Sequence, residues 1–386
     1  MNPRRRSILV ASSALALSAC GGGGGGSAGG GADAPAARRT FARQGFNMPD
    51  WSVGSPAGLE RSLQVAREAN ANTLIFSFTL YQAGGLGGST FLPITSSELV
   101  RHQAAWARAV GAGFTVWIKP GIYIGTDLAD PDVLKWWAIE AADPEAWFRN
   151  YGDRAVELCI AGRAVGVAAV LDANELLGMT RPLANAARWN VLHDRLRTAL
   201  GGAVGCNLVT FQPGGIAQVD EAPAAYFDRL DFVGLSAYPT LSHKLDATRS
   251  DYVAGWTRDA FGQNALQQVR SLITRLRKPV CFTELGTPAT RGGYWFWHSA
   301  PPGHVLGQDG YDLAQQAAWY DATLEVFRRQ LGSDLYGIVA YCLQANLGDT
   351  RSNYDPVSTP EVQVIGYSWN LHDKPALGAL RAGWSV

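Results

Sequence analysis

Residues 166–171 read Gly-Val-Ala-Ala-Val-Leu, an apolar run that continues into Asp172. A strand with one face in water alternates apolar and polar residues, so a run without polar positions predicts a strand covered on both faces. This strand, Val165–Asp172, is the fourth of eight. The other predicted strands are Phe41–Phe46, Thr73–Thr79, Phe114–Lys119, Ala203–Thr210, Asp231–Ala237, Pro279–Thr283 and Tyr336–Tyr341.

Helical patterns separate most of these strands, including one long pattern over Asp251–Arg277. Strands joined by helical crossovers run parallel, because each crossover returns the chain to the same end. A doubly wound open sheet is the alternative, but it favours a glycine-rich phosphate loop after the first strand. Residues 47–51 read Asn-Met-Pro-Asp-Trp instead. The prediction is therefore an α/β fold, a single-domain (β/α)8 TIM barrel over residues 40–386.

The first twenty residues have the order of an export signal. Three arginines (residues 4–6) precede the apolar run Ile8–Leu17, which is too short to span a bilayer. Leu17-Ser18-Ala19-Cys20 resembles a bacterial lipobox, which implies cleavage before Cys20 and lipid on its sulfur; an ordinary signal peptide with an incidental Cys20 is the alternative. Residues 21–39 predict a flexible Gly-rich linker. We expect export and lipid anchoring to the bacterial cell envelope. We expect the outer membrane, because the residue after Cys20 is Gly21 and not the aspartate that usually signals retention.

Composition excludes some partners and leaves others open. The chain has 33 basic and 33 acidic residues, so nothing indicates nucleic acid. Its 13 Trp, 13 Tyr and 14 Phe residues fit either a large core or a sugar-binding cleft. The cysteines of the body, Cys159, Cys206, Cys281 and Cys342, lie in apolar runs without metal-ligand spacing, which predicts buried thiols, no metal and no cofactor. A Cys281–Cys342 disulfide remains open.

Two glutamates follow apolar runs where parallel barrels place their reacting groups. Glu175 comes after the fourth strand and Glu284 after the seventh. Each alone could be a salt-bridged residue at a strand end, but glycoside hydrolysis requires two carboxyl groups across one bond, and about 5 Å between them makes a retaining enzyme. We predict Glu175 as the acid/base, its pKa raised, and Glu284 as the nucleophile. Asn174 is positioned to donate to the sugar 2-hydroxyl.

Asn174-Glu175 and Thr283-Glu284-Leu285-Gly286 resemble the signature of clan A glycoside hydrolases. The wider pattern is similar to glycoside hydrolase family 113, a β-mannanase family. The matching pieces are Lys119-Pro120, the helix Trp189–Arg197, residues 231–238, Lys278-Pro279 and Lys374-Pro375-Ala376. The resemblance implies Glu175 as acid/base, Glu284 as nucleophile and Tyr238 as a hydrogen-bond donor to the nucleophile. Two departures are the apolar Gly121-Ile122-Tyr123 after Lys119-Pro120, and Tyr341 where the clan usually has a sugar-stacking tryptophan.

Further candidates for sugar binding lie at the predicted mouth of the barrel. Lys119 ends the third strand and could hydrogen-bond a glycan hydroxyl or pair with a carboxylate inside the barrel. Trp51 follows the first strand, and Trp295 and Trp297 lie in the loop after the seventh. The tryptophans could equally pack within their loops, and we interpret Trp136-Trp137 as packing. The expected function is retaining hydrolysis of a β-linked polysaccharide, mannan-like or an exopolysaccharide, by a monomer. The alternative is a catalytically inactive carbohydrate-binding lipoprotein.

Overall fold

The chain folds around one curled sheet of parallel strands, a (β/α)8 TIM barrel. The structure, a computed structural model, describes residues 39–50, 53, 55–127, 130, 132–210, 218–289, 312–343 and 370–385. All of them belong to one compact unit, Ala37–Val386. The strands are β1 Arg43–Met48, β2 Thr73–Ala83, β3 Thr90–Phe91, β4 Thr115–Ile124, β5 Ala169–Leu171, β6 Ala203–Gly205, β7 Leu208–Thr210, β8 Val233–Ala237, β9 Val280–Leu285 and β10 Leu335–Ala340.

Helices follow the strands along the chain. They are α1 Pro56–Glu68, α2 Ser96–Gly111, α3 Pro144–Arg163, α4 Leu177–Thr180, α5 Ala186–Leu200, α6 Gln218–Glu221, α7 Arg249–Gly255, α8 Ala265–Leu276, α9 Leu313–Gln330 and α10 Pro375–Trp384. Side-chain caps begin several of them. At α2, Thr95 and Glu98 form a capping box that satisfies two otherwise unpaired N–H groups.

The sheet order is β6-β5-β4-β2-β1-β10-β9-β8-β7, with β3 antiparallel at the end of β2. The predicted fifth strand is interrupted at Cys206 and Asn207, so that β6 pairs with β5 while β7 pairs with β8. A bridge between Gly205 and Phe232 joins the same two sides. Because β6 and β7 are the two halves of one barrel strand, the order closes on itself and the prediction of a barrel is confirmed.

Two apolar layers hold the barrel together. The larger one lies between the strands and the surrounding helices, as where Phe282 of β9 stacks on Phe327 of α9 at 5.0 Å. The smaller one includes Trp117 and Phe232, whose rings lie 4.7 Å apart. Lys119 lies two residues beyond Trp117 on the same strand and therefore on the same face. The smaller cluster thus lies directly beneath the polar residues described next.

Several element boundaries differ from the predictions. The helix predicted over Asp251–Arg277 is two helices, α7 and α8, because Gly262 adopts a positive φ and Asn264 caps a new helix by accepting from the Gln267 N–H. The third strand continues five residues past Lys119, paired with β2 as far as Gln82 and Ile124. Lys119 therefore lies within its strand, and the prediction that it ends the strand is wrong.

Candidate active site

Glu284 lies in β9 and is 5% exposed, among groups that favour a carboxylate. The Lys119 ammonium forms an ion pair with Oε1, and the Tyr238 hydroxyl donates to Oε2. The register of β9 against β8 shifts between Phe282 and Glu284, so Thr283 is an additional residue in the strand. This irregularity brings both Thr283 and Glu284 to the same polar cluster.

Burial shifts the pKa values of Lys119 and Tyr238, which both contact Glu284, in opposite directions. Desolvation lowers the pKa of Lys119 to about 8, which still leaves the side chain protonated at neutral pH. The nearby Glu175 charge and the ion pair with Glu284 favour the same protonated form. Burial raises the pKa of Tyr238 well above its ordinary value, so the phenol remains a hydrogen-bond donor. Glu284 is thus stabilised as an anion by a cation and a neutral hydroxyl.

Glu175 has a different environment. It is half-buried and follows β5 in a backbone conformation with φ of 55°, which is uncommon for a residue other than glycine. Its N–H donates to the carbonyl of Asn207 at 3.0 Å. Its carboxyl oxygens accept from Trp136 Nε1 at 3.2 Å and from Ser236 Oγ at 2.5 Å. Among the residues that the structure describes, none forms an ion pair with Glu175.

Ser236 connects the two carboxyl groups. Its Oγ lies 2.5 Å from Glu175 Oε1 and 3.4 Å from Glu284 Oε2. Those two carboxyl oxygens are therefore no more than about 6 Å apart, which is below the separation typical of inverting glycosidases and close to that of retaining ones. The fourth and seventh barrel strands bring the two predicted catalytic residues together.

Asn207, at the interruption between β6 and β7, is 1% exposed and contacts the residues on both strand ends. Its Nδ2 donates to Asn174 Oδ1 at 2.6 Å and to Glu284 Oε1 at 3.4 Å. Its Oδ1 accepts from Thr283 Oγ1 at 2.5 Å. Gly234 makes room for this arrangement, because a Cβ there would lie 2.0 Å from the Cys206 carbonyl oxygen.

A buried polar cluster supports the strand end that carries Glu175. Asp172 Oδ2 accepts from His193 Nε2 at 2.9 Å and from the Tyr226 hydroxyl at 2.5 Å. The Tyr151 hydroxyl donates to the Asp172 carbonyl at 2.7 Å. Desolvation and the nearby Asp172 charge raise the pKa of both tyrosines well above the ordinary value, so they remain donors. The cluster ties β5 to α3 and α5.

Comparison with known proteins agrees with this geometry. The profile of Glycoside Hydrolase Family 113 matches residues 60–344. The chain belongs to glycoside hydrolase family 113. It is therefore a glycoside hydrolase. No curated protein matches the chain.

Solved structures place this family 113 chain among similar barrels. A GH113 β-1,4-mannanase superposes with a TM-score of 0.62 at 16% identity, covering 90% of this chain and 99% of the other. The GH113 β-mannanase of Alicyclobacillus acidocaldarius, solved with ManMIm, superposes with a TM-score of 0.62 at 18% identity, covering 89% of this chain and 97% of the other. An endo-1,4-β-D-mannanase of Thermotoga petrophila gives 0.55 at 15% identity, covering 89% and 99%. At these identities the likeness shows the fold alone.

The other predicted site residues of this family 113 protein have mixed outcomes. Tyr341 lies beside the site, with its ring 5.9 Å from that of Tyr238 and nearly perpendicular to it. Asn174, predicted to contact sugar, is half-buried and accepts from Asn207 through its Oδ1. The predictions on Cys20, Trp51, Trp295 and Trp297 lie outside the described residues.

Three residues of the site were not predicted. The sequence predicts that Trp136 packs, and it does pack on the core, but its indole N–H also donates to Glu175. Ser236 had a usable signal, because it lies two positions before Tyr238 in an apolar run and strand periodicity places the two on one face. Asn207 is a polar residue inside an apolar run, which is also informative when the run is a buried strand.

Other kinds of site find no support in the described part of the chain. There, His, Cys, Asp and Glu side chains form no group of three or more that could hold a metal. No described helix is long and apolar enough to cross a membrane. Cys159, Cys206, Cys281 and Cys342 are buried free thiols.

Proposed function

We propose that the protein is a retaining β-mannan hydrolase, with Glu175 as acid/base and Glu284 as nucleophile. The observation that carries the proposal is the Ser236 hydroxyl, within hydrogen-bond distance of both carboxyl groups. Carboxyl groups this close leave no room for the water that an inverting enzyme places between carboxylate and sugar. The mannan substrate is supported by the family and by the β-mannanases that share the fold.

In the first step, Glu284 attacks the anomeric carbon while Glu175 transfers its proton to the departing oxygen, giving a glycosyl ester on Glu284. In the second step, Glu175 takes a proton from water, which attacks the same carbon and releases the sugar with its original configuration. Lys119 and Tyr238 hold the Glu284 carboxylate ionised and oriented. The amide nitrogen of Asn174, on the half-buried strand end beside Glu175, donates to the sugar 2-hydroxyl.

The test is reducing-end release from β-mannans, β-glucans, xylans and galactans, with the Glu284→Ala variant alongside. Release from mannan by the wild type, abolished in the variant, is expected. Proton NMR of the first product then gives the mechanism: a β-anomer that mutarotates later supports retention. An initial α-anomer, or release from another polymer with none from mannan, would contradict the respective part of the proposal.

The chain is also proposed to be exported and lipid-anchored at the outer membrane. The support is Leu17-Ser18-Ala19-Cys20, preceded by a basic segment and an apolar run and followed by a glycine-rich segment. A labelled fatty acid should be incorporated into the full chain expressed in bacteria and should be absent from a Cys20→Ser variant. Equal labelling of the two chains would exclude Cys20 as the lipid attachment site.

A further inference from the structure

Asn207 is almost fully buried and joins the two predicted catalytic strand ends. Its backbone carbonyl accepts from the N–H of Glu175 at 3.0 Å. Its side-chain amide reaches Asn174 at 2.6 Å and Glu284 at 3.4 Å. It lies beneath the site, 1% exposed, so it acts on substrate only through its neighbours.

The orientation of the Asn207 amide is fixed by chemistry on both sides. An amide oxygen facing the Glu284 carboxylate would repel it, so the nitrogen faces Glu284 Oε1. On the other side, Thr283 Oγ1 donates to Asn207 Oδ1 at 2.5 Å, which is compatible with this orientation. The charge on Glu284 therefore selects the orientation, because a hydroxyl, which also lies 3.3 Å from the Leu235 carbonyl, could face either end of the amide.

That orientation determines the orientation of Asn174. Because Asn207 presents N–H groups, Asn174 turns its Oδ1 toward Asn207 and its NH2 group away. No described residue accepts a hydrogen bond from Asn174 Nδ2. A half-buried amide nitrogen beside Glu175 is thus available as a donor to the substrate.

We propose that Asn207 is a positioning residue that orients Asn174 as a hydrogen-bond donor to the 2-hydroxyl of the sugar under attack. The proposal rests on the proposed function. The contacts run from the charged nucleophile through Asn207 to Asn174. The Asn174 NH2 group therefore faces the substrate as long as Glu284 is ionised. Replacing Asn207 by aspartate reverses the orientation of the Asn174 amide, because a carboxylate accepts from Asn174 Nδ2 and turns the Asn174 oxygen toward the substrate.

The test compares two substrates and four chains. The substrates are 2,4-dinitrophenyl β-mannobioside and its analogue without the 2-hydroxyl on the sugar that bears the aryl group. The full-length chains are the wild type, Asn207→Asp, Asn174→Ala and the double variant. The measurement is the ratio of kcat/KM for the hydroxylated substrate to kcat/KM for the deoxy substrate.

The ratio should fall by about tenfold or more in Asn207→Asp and in Asn174→Ala, because the 2-hydroxyl contact strengthens in the transition state. In the double variant the ratio should fall no further than in Asn174→Ala, since both changes remove one contact. A new carboxylate near Glu284 slows both substrates equally, so it leaves the ratio unchanged. The ratio therefore separates orientation of Asn174 from general damage.

Asn190→Asp is the matched control, because Asn190 donates to the Ala225 carbonyl at 2.8 Å from α5, outside the site. Its ratio should equal that of the wild type. Should Asn207→Asp fail to fold, Asn207→Ala removes the donor to Asn174 Oδ1 without adding a charge and should lower the ratio in the same direction. A wild type that cleaves neither substrate would overturn the proposed function and this inference together. Equal losses on the two substrates overturn this inference alone.

Discussion

Glu284 and Glu175 both lie within hydrogen-bond distance of the Ser236 hydroxyl, yet their surroundings differ. Glu284 sits in a strand, almost fully buried, against an ammonium, a phenol and an amide. Glu175 follows its strand in a left-handed conformation, half-buried, and among the described residues its carboxyl group accepts from two neutral donors, Trp136 and Ser236. The ammonium in contact with Glu284 stabilises its carboxylate more strongly than neutral donors stabilise that of Glu175.

The difference supports the proposed division of roles. A nucleophile must stay ionised, and an acid/base must exchange its proton twice in each turnover. The backbone at Glu175 supports the same division, since an uncommon φ persists only where neighbouring contacts hold it. Here the carbonyl of Asn207 and the buried Asp172 cluster do so.

Removing each carboxyl group in turn tests the assignment with the largest effect. Glu284→Ala should lose more than about 10⁴-fold in kcat on every substrate, because no covalent intermediate forms. Glu175→Ala should lose about 10²- to 10⁴-fold on mannan. The leaving group of 2,4-dinitrophenyl β-mannobioside needs no acid. With this substrate, formation of the glycosyl-enzyme by Glu175→Ala should therefore remain fast and appear as a burst of dinitrophenol.

Azide distinguishes the two variants further. It attacks without a base, so it should accelerate turnover of Glu175→Ala and give a glycosyl azide of retained configuration. Acceleration of Glu284→Ala with that same product, and none of Glu175→Ala, would mean that the roles are reversed.

Removing only the cation near Glu284 tests why the two sites differ. Lys119→Met keeps the length of the side chain but leaves a buried carboxylate without its ion pair, and such a group binds a proton instead. We expect a loss of roughly 10²-fold in kcat at pH 7, from about 3 kcal/mol of lost stabilisation. Lys135→Met, which removes an exposed ion pair with Asp132, is the control and should be near neutral. Normal kcat in Lys119→Met would show that Glu284 does not depend on this cation.

The sequence predicted the carboxylates better than their partners. Glu175 and Glu284 follow apolar runs, and a charged residue at the end of such a run can be recognised from the sequence alone. The barrel followed from the same runs. Trp136 reaches Glu175 across a connection that carries no periodic signal. Residues 203–210 look like one strand, since only the pairing of β6 with β5 and of β7 with β8 reveals the interruption at Asn207.

On the Glu175 side, loss of a neutral donor should have a smaller effect than loss of the cation near Glu284. Trp136→Phe removes the indole N–H that contacts Oε2 but keeps an aromatic ring. A single hydrogen bond of this kind is worth about 1 kcal/mol, so kcat on mannan should fall by roughly three- to tenfold. Trp137→Phe, on the exposed neighbour, is the control. A loss as large as that of Lys119→Met would contradict the view that Glu175 needs no strong partner.

The last comparison is between Lys119 and a second buried lysine, Lys374, and it is measured through protein stability. Lys374, 6% exposed, precedes α10, and burial lowers its pKa to about 7. An unfolded chain holds this proton up to the ordinary lysine value of 10.5, whereas the folded protein releases it near pH 7. Unfolding therefore takes up a proton between these values, so the Lys374 contribution to the free energy of unfolding rises with pH.

Lys374→Met has no such proton, so its stability relative to the wild type should decline by about 2–3 kcal/mol from pH 6 to pH 9. Urea unfolding at the two pH values measures this difference. Lys119→Met should instead be less stable than the wild type at pH 6, because it leaves the Glu284 carboxyl group buried without its ion pair. If both methionine variants were more stable than the wild type at pH 6, the desolvation that lowers the pKa of Lys119 would outweigh its ion pair, and the ion pair would not explain why Glu284 differs from Glu175.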